Sequence, residues 1–156
     1  MEVTTTQHWA FEDFREGVSI ELAPYRVSEA EIVAFARQYD PQSFHVDPEA
    51  ARHSIFGGLV ASGWMTTAVF MRMQYDSFIG HSTCLGSPGV DEIRWLLPVR
   101  PGDTLRGACR VTEARPSRSK PDRGAVFYHC HLENQAGEVV MTLQSRALFG
   151  RREAQP

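Results

Sequence analysis

Little in this chain of 156 residues suits disulfides, membranes or nucleic acid. The three cysteines, Cys84, Cys109 and Cys130, are scattered and form no CxxC pair. They are too few for a disulfide framework and lack the spacing of a structural zinc site, so they read as reduced core fillers in a cytoplasmic protein. No apolar run approaches the roughly 18 residues of a membrane span. The start, MEVTTTQHWAFEDF, has neither the basic residues nor the apolar stretch of a signal peptide. A net charge of −3 gives no reason to expect nucleic acid or an anionic membrane as partner. No G-x-S-x-G elbow surrounds Ser62, which argues against a serine nucleophile.

Apolar residues at 42% and charged residues at 22% are ordinary for a soluble globular protein. The length fits one domain over residues 1–156, with residues 1–10 and 151–156 expected to fray. VSIELAPYRV reads as a first strand. Ser28 and Glu31 have capping-box spacing, flanked by Val27 and Ile32 as a hydrophobic staple. Ile32, Phe35, Ala36 and Tyr39 then recur at helical spacing, which predicts an amphipathic helix over Glu29–Gln38. Pro41 ends it, leaving Asp40 just past the helix on a stretch not expected to be regular helix. Asp47-Pro48 opens another short helix running to about His53. From Leu59 to Met73 apolar residues surround the helical wheel, predicting a mostly buried helix that starts at Gly57-Gly58.

After Gly80 the pattern changes. GVDEIRWLLPV, DTLRGACRVTEA, GAVFYHCHLENQ and EVVMTLQSRALF are four strand candidates, with VRPGD and NQAGE as turns. In the last strand Val139, Met141, Leu143, Ala147 and Phe149 are expected on one face, and Thr142, Gln144 and Arg146 on the other. A long helix followed by antiparallel strands is an α+β pattern.

Several groups could carry chemistry. Asp40 and His45, five apart in QYDPQSFHVDP, suit proton transfer, though on spacing alone Asp40 as a helix-end or turn cap and His45 as a half-buried loop histidine is the commoner arrangement. Gly57-Gly58 before a helix allows close backbone approach and free amides for an oxyanion, or merely a sharp turn. Ser62 and Thr66 share a helix face and either touch a ligand or bond back to helix carbonyls. His129 and His131 point to one side of a strand, without a third metal ligand nearby. The basic segment ARPSRSKPDRG is either a solvated hairpin tip or a contact for nucleotide phosphates.

The segments FEDFREG, YDPQSFHVD, FGGLVASGW and SPGVDEIRWLLPVRPGDTL together resemble the MaoC-like acyl dehydratases, the (R)-specific enoyl-CoA hydratase branch of the hot-dog fold. The resemblance implies an antiparallel sheet wrapped around a central helix. It places Asp40 and His45 at the two catalytic positions, with Gln42, Ser43 and Phe44 where the family signature has asparagine, proline and an aliphatic residue. It reads Gly57-Gly58 as the helix-start pair, Gly58 supplying the oxyanion-hole N–H. Met65 stands where many relatives have histidine after the tryptophan. Gln42, Gly57, Ser62, Trp64 and Met65 become substrate contacts, and an acyl tunnel is expected along Leu59, Trp64, Met65 and Phe70. The implied activity is addition or removal of water across the C2–C3 double bond of a 2-enoyl thioester in fatty acid metabolism. The thioester is carried on coenzyme A or acyl carrier protein, and no metal or redox cofactor is needed. A homodimer or dimer of dimers is implied. Two other readings stay open. A hot-dog thioesterase is disfavoured because Leu59–Met73 holds no Asp or Glu. A non-catalytic acyl-binding subunit of a heterodimer is the other.

Overall fold

The computed structural model describes residues 7–152. The elements run β1 (Ser19–Arg26), α1 (Glu29–Tyr39), α2 (Ser43–Val46), α3 (Pro48–Arg52), α4 (Gly63–Ser77), β2 (Cys84–Trp95), β3 (Thr104–Pro116), β4 (Arg123–Glu133) and β5 (Val139–Gly150). The five strands form one antiparallel sheet in the order β1-β3-β4-β5-β2, so β1 and β2 are its edges. Helix α4 lies against the sheet, and Val69, Phe70 and Met73 join Val111, Val126, Leu132, Met141 and Phe149 in one apolar cluster. The expected α+β architecture of a sheet around a central helix is present. Among the described residues no helix is long and apolar enough to cross a membrane.

Local signals account for α1. Ser28 accepts from the Glu31 N–H while the Glu31 carboxylate accepts from the Ser28 N–H, and Val27 and Ile32 are both buried. Asp47 caps α3 by accepting from the Glu49 and Ala50 amides, with Pro48 at the first helical position.

Several expectations need correction. The stretch after Asp40 contains a single helical turn, α2. Helix α4 starts at Gly63, not at Gly57-Gly58, because long-range backbone bonds hold Val60 and Ala61 outside it. The Val60 N–H donates to Phe44 O at 3.2 Å and the Ala61 N–H to Val99 O at 2.8 Å. Nor is α4 buried all round, since Trp64, Met71 and Tyr75 stay about half exposed. The sheet covers only one side of it. In β5, Val140 rather than Val139 turns inward, since an irregularity pairs Leu132 with Met141 but Glu133 with Val139 and so skips Val140.

The fraying expected at residues 1–10 and 151–156 partly falls on residues 1–6 and 153–156, which lie outside the described residues. Within the described part the chain is tied down. Trp9 donates to His81 O at 2.7 Å and accepts from Thr83 at 2.9 Å, Ala10 is fully buried, and the Arg151 N–H donates to Asp122 O at 2.8 Å.

Candidate active site

Asp40 is the residue on which α1 ends. Its own N–H still donates to Ala36 O at 2.8 Å, but its backbone has left the helical region at φ −152° and ψ 69°. Two residues on, α2 turns the chain back and buries His45. The His45 Nδ1 lies 2.6 Å from the carbonyl oxygen of Val60. A carbonyl only accepts, so Nδ1 carries the hydrogen, and in the neutral ring Nε2 is the bare nitrogen. Nε2 sits 3.3 Å from Asp40 Oδ2.

Two further side chains hold the carboxylate. The Ser62 hydroxyl donates to Asp40 Oδ2 at 2.7 Å and the Gln42 amide donates to Oδ1 at 2.8 Å. The Asp40 carboxyl is held below its ordinary value, chiefly by the Ser62 hydroxyl. Burial opposes this, while Gln42 and the charge of His45 add to it. Asp40 is therefore a carboxylate, and in the neutral form of His45 the Nε2 lone pair lies on the same side. Both are then acceptors, and a water, with two hydrogens to give, can donate to both.

The pair opens into a cavity of about 440 Å³. Its walls are Phe44 and Phe56 on one side, Gly63, Trp64 and Thr66 from the start of α4, and Trp95–Val99 opposite. The first turn of α4 presents the amides of Gly63, Trp64 and Met65, which have no carbonyl one turn back within the helix. The first amide taken up is that of Thr66, donating to Ser62 O at 3.1 Å. The helix dipole adds partial positive charge at the same place.

The sequence-predicted residues distribute unevenly around this cavity. Asp40, His45, Gln42, Ser62 and Trp64 line it. Ser62 stands at the N-cap position of α4 rather than on it, and its hydroxyl donates to Asp40 instead of capping the helix. Gly57 and Gly58 do not line the cavity. They form a turn in which Gly57 has φ +66° and donates to Ser54 O at 3.1 Å, and Gly58 lies beside Arg100. Arg100 in turn donates to Phe56 O at 2.7 Å. Met65 and Leu59 belong to the core, and Phe70 lines a different cavity. Of the four expected tunnel residues only Trp64 reaches the pocket.

Phe56, Val60, Ala61, Gly63, Trp95–Val99 and Val140 are wall residues not expected from the sequence. Ser62 before Gly63 is an N-cap residue type and was the available signal for the true helix start. His129 and His131 sit on β4 opposite Arg110 and Ala108 of β3, away from the pocket. The basic segment joins β3 and β4 at the end of the sheet where Arg123 pairs with Gly150, whereas the pocket lies near Val140 at the other end of β5.

Residues 13–129 match the family described as MaoC like domain. A curated (R)-specific enoyl-CoA hydratase of Rhodospirillum rubrum is 33% identical over 113 residues, 69% of this chain and 73% of that protein. The uncharacterized protein YdeM of Bacillus subtilis is 30% identical over 110 residues, 70% of this chain and 77% of its own length. The crystal structure of a MaoC-like dehydratase from Rhodospirillum rubrum superposes with a TM-score of 0.84 at 42% identity, covering 92% of this chain and 98% of that one. With this match across most of its length and the hot-dog arrangement of sheet and helix, the chain belongs to the MaoC-like hydratase/dehydratase family.

Proposed function

We propose that this protein adds water to, or removes it from, the C2–C3 bond of a 2-enoyl thioester carried on coenzyme A or acyl carrier protein. The observation that carries the reading is the pinning of His45 Nδ1 on Val60 O, which makes Nε2 the bare nitrogen of the neutral ring, 3.3 Å from Asp40 Oδ2 at the head of α4. In hydration a water held by both acceptors attacks C3 while His45 Nε2 takes its proton. Charge then builds on the thioester oxygen and meets the free amides of the first turn of α4, with Gly63 in the role expected of Gly58. The imidazolium returns the proton to C2, and dehydration runs the same path backwards. Asp40, kept ionised by Ser62, orders the water and supports the imidazolium rather than delivering a proton of its own. No step calls on a metal or redox cofactor.

Helix α4 extends past Met73 and does contain one acid, Asp76. It pairs with Arg72 at 3.0 Å, several turns from the pocket, so the helix offers the cavity no carboxylate for a thioesterase mechanism. Edge strand β2 exposes Leu85, Val90 and Trp95, and the adjoining face of α4 exposes Trp64, Met71 and Tyr75. An apolar band along an unpaired strand supports association of two copies edge to edge.

Purified protein with crotonyl-CoA tests the activity, by loss of the absorbance of the conjugated thioester with free thiol followed in parallel. Loss of absorbance without thiol is expected, and His45→Ala and Asp40→Asn should each lower turnover by about 100-fold or more. Thiol release would point to hydrolysis instead. Near-normal rates in either variant would remove that residue from the mechanism, and inactivity of the wild type on several chain lengths would favour a non-catalytic subunit.

A further inference from the structure

A second cavity, of about 290 Å³, follows the first along α4. Its walls are mainly apolar and include Phe70, Met71, Val90, Leu143 and Ala147. The two cavities succeed one another in register on every element they share. On α4 the first is lined by Gly63, Trp64 and Thr66 and the second by Thr67, Phe70 and Met71. On β5 the first reaches Val140 and the second begins at Leu143; on β2 the first has Trp95 and the second Val90.

The boundary between them is one set of contacts. The Trp95 indole lies flat on Gly63, so close that a Cβ there would fall 2.4–2.7 Å from three ring carbons. Its Nε1–H donates to Thr67 Oγ1 at 3.1 Å, and the same Thr67 hydroxyl lies 3.7 Å from the sulfur of Met141, the residue paired with Trp95 across β2 and β5. Trp64 packs edge-on against the indole at 5.0 Å between centroids. Glycine at position 63 is what lets the ring seat, and the Thr67 hydroxyl is what holds its rotation.

We infer that Trp95 is a partition that restricts this site to short acyl groups, closing the apolar cavity behind it to longer chains. The inference rests on the acyl-thioester reading above and deepens it by naming the substrate class. A chain that stays in the first cavity fills the space beside Asp40 and His45. A longer one meets the indole, and it reaches the second cavity only if the ring leaves both Gly63 and Thr67. Trp95 acts here on chain length and takes no part in the proton transfers.

Binding of saturated butyryl-, octanoyl- and decanoyl-CoA, measured by titration calorimetry, separates this from catalysis because these ligands do not turn over. In the wild type, octanoyl- and decanoyl-CoA should bind no more tightly than butyryl-CoA. In Trp95→Ala the cavities merge and affinity should climb by up to about fourfold per added methylene, so octanoyl-CoA gains on the order of 100-fold over butyryl-CoA. Thr67→Val, which keeps the ring but removes its acceptor, should show a smaller gain of the same sign and serves if the alanine variant does not fold. A merely structural tryptophan would weaken all three ligands together and leave their ratio unchanged. That result, or a wild type already favouring decanoyl-CoA, would overturn the inference, as would failure of wild type and variants to bind any of the three. A wild type inactive on crotonyl-CoA but showing the expected binding profile would sink the hydratase reading and leave the partition standing.

Discussion

Replacing each of two glycines by alanine, one at a time, distinguishes the helix start seen in the structure from the one suggested by the sequence. At Gly58 an added Cβ meets only the Arg100 guanidinium, at 3.4 Å, the flexible end of an exposed side chain. Its φ is not positive, so alanine adopts the backbone without strain. Gly58→Ala should leave kcat/KM for crotonyl-CoA within about threefold of wild type, the scale of a surface change of under ~0.5 kcal/mol. At Gly63 the same methyl group falls 2.4 Å from Trp95 Cδ2. The ring must leave or the first turn must shift, at a cost of about 1–3 kcal/mol from overpacking. A shift of that turn also moves the amides proposed to meet the thioester oxygen, and loss of one such donor costs roughly 100- to 1000-fold in kcat. Gly63→Ala should therefore lose at least about 30-fold in kcat/KM, with a change in tryptophan fluorescence as the indole is displaced. Steady-state hydration rates and emission spectra of both variants decide the matter. A large loss in Gly58→Ala with a near-normal Gly63→Ala would refute the reasoning and restore Gly58 as the donor.

Ser62→Ala removes the buried donor that chiefly holds the Asp40 carboxyl low, so the acid limb of the pH–rate profile should move to higher pH. Its maximal rate should fall by about 5- to 30-fold, a charge-assisted bond of 1.5–3 kcal/mol discounted for partial replacement by water. The contrary outcome is an unmoved acid limb. The same shift sets a sign for stability. Because the folded-state value of Asp40 is depressed, its contribution is present above the ordinary carboxylate range and is lost as pH falls through the folded-state value, so denaturation midpoints of Asp40→Asn should fall less on acidification than those of wild type. For the edge-to-edge dimer, Val90→Lys places a charge on the exposed band of β2 and should shift the mass measured by light scattering from two copies toward one, with an unchanged dimer mass arguing for a different interface.

The sequence was legible where the cause of structure is local. Ser28, Glu31 and Pro41 bound α1 through hydrogen bonds within a few residues, and they place Asp40 past the helix end as found. The strands from β3 to β5 followed from β-branched and aromatic residues between turns. Legibility failed where long-range pairing decides. Leu59–Ala61 is apolar on every side, a composition that suits a buried helix or a buried extended segment equally. What chooses is the pairing of Val60 with Phe44 and of Ala61 with Val99, 16 and 38 residues away in sequence (60 − 44 and 99 − 61). These pairings set the helix start at Gly63, five residues after the expected Gly58, and with it the amide donor and the cavity-lining residues. For the same reason no local signal shows that Trp95 reaches across to Gly63 and Thr67, since nothing near position 95 encodes the partner.

The proposed proton transfers depend on which nitrogen of His45 is bare. A long-range proton–nitrogen correlation spectrum of 15N-histidine-labelled protein at pH 8, with His45→Ala for assignment, reads this directly. The geometry predicts a ring protonated at Nδ1, with the Nε2 resonance in the range of an unprotonated nitrogen. An Nε2-protonated tautomer at that pH would leave no base facing Asp40 and would contradict the mechanism.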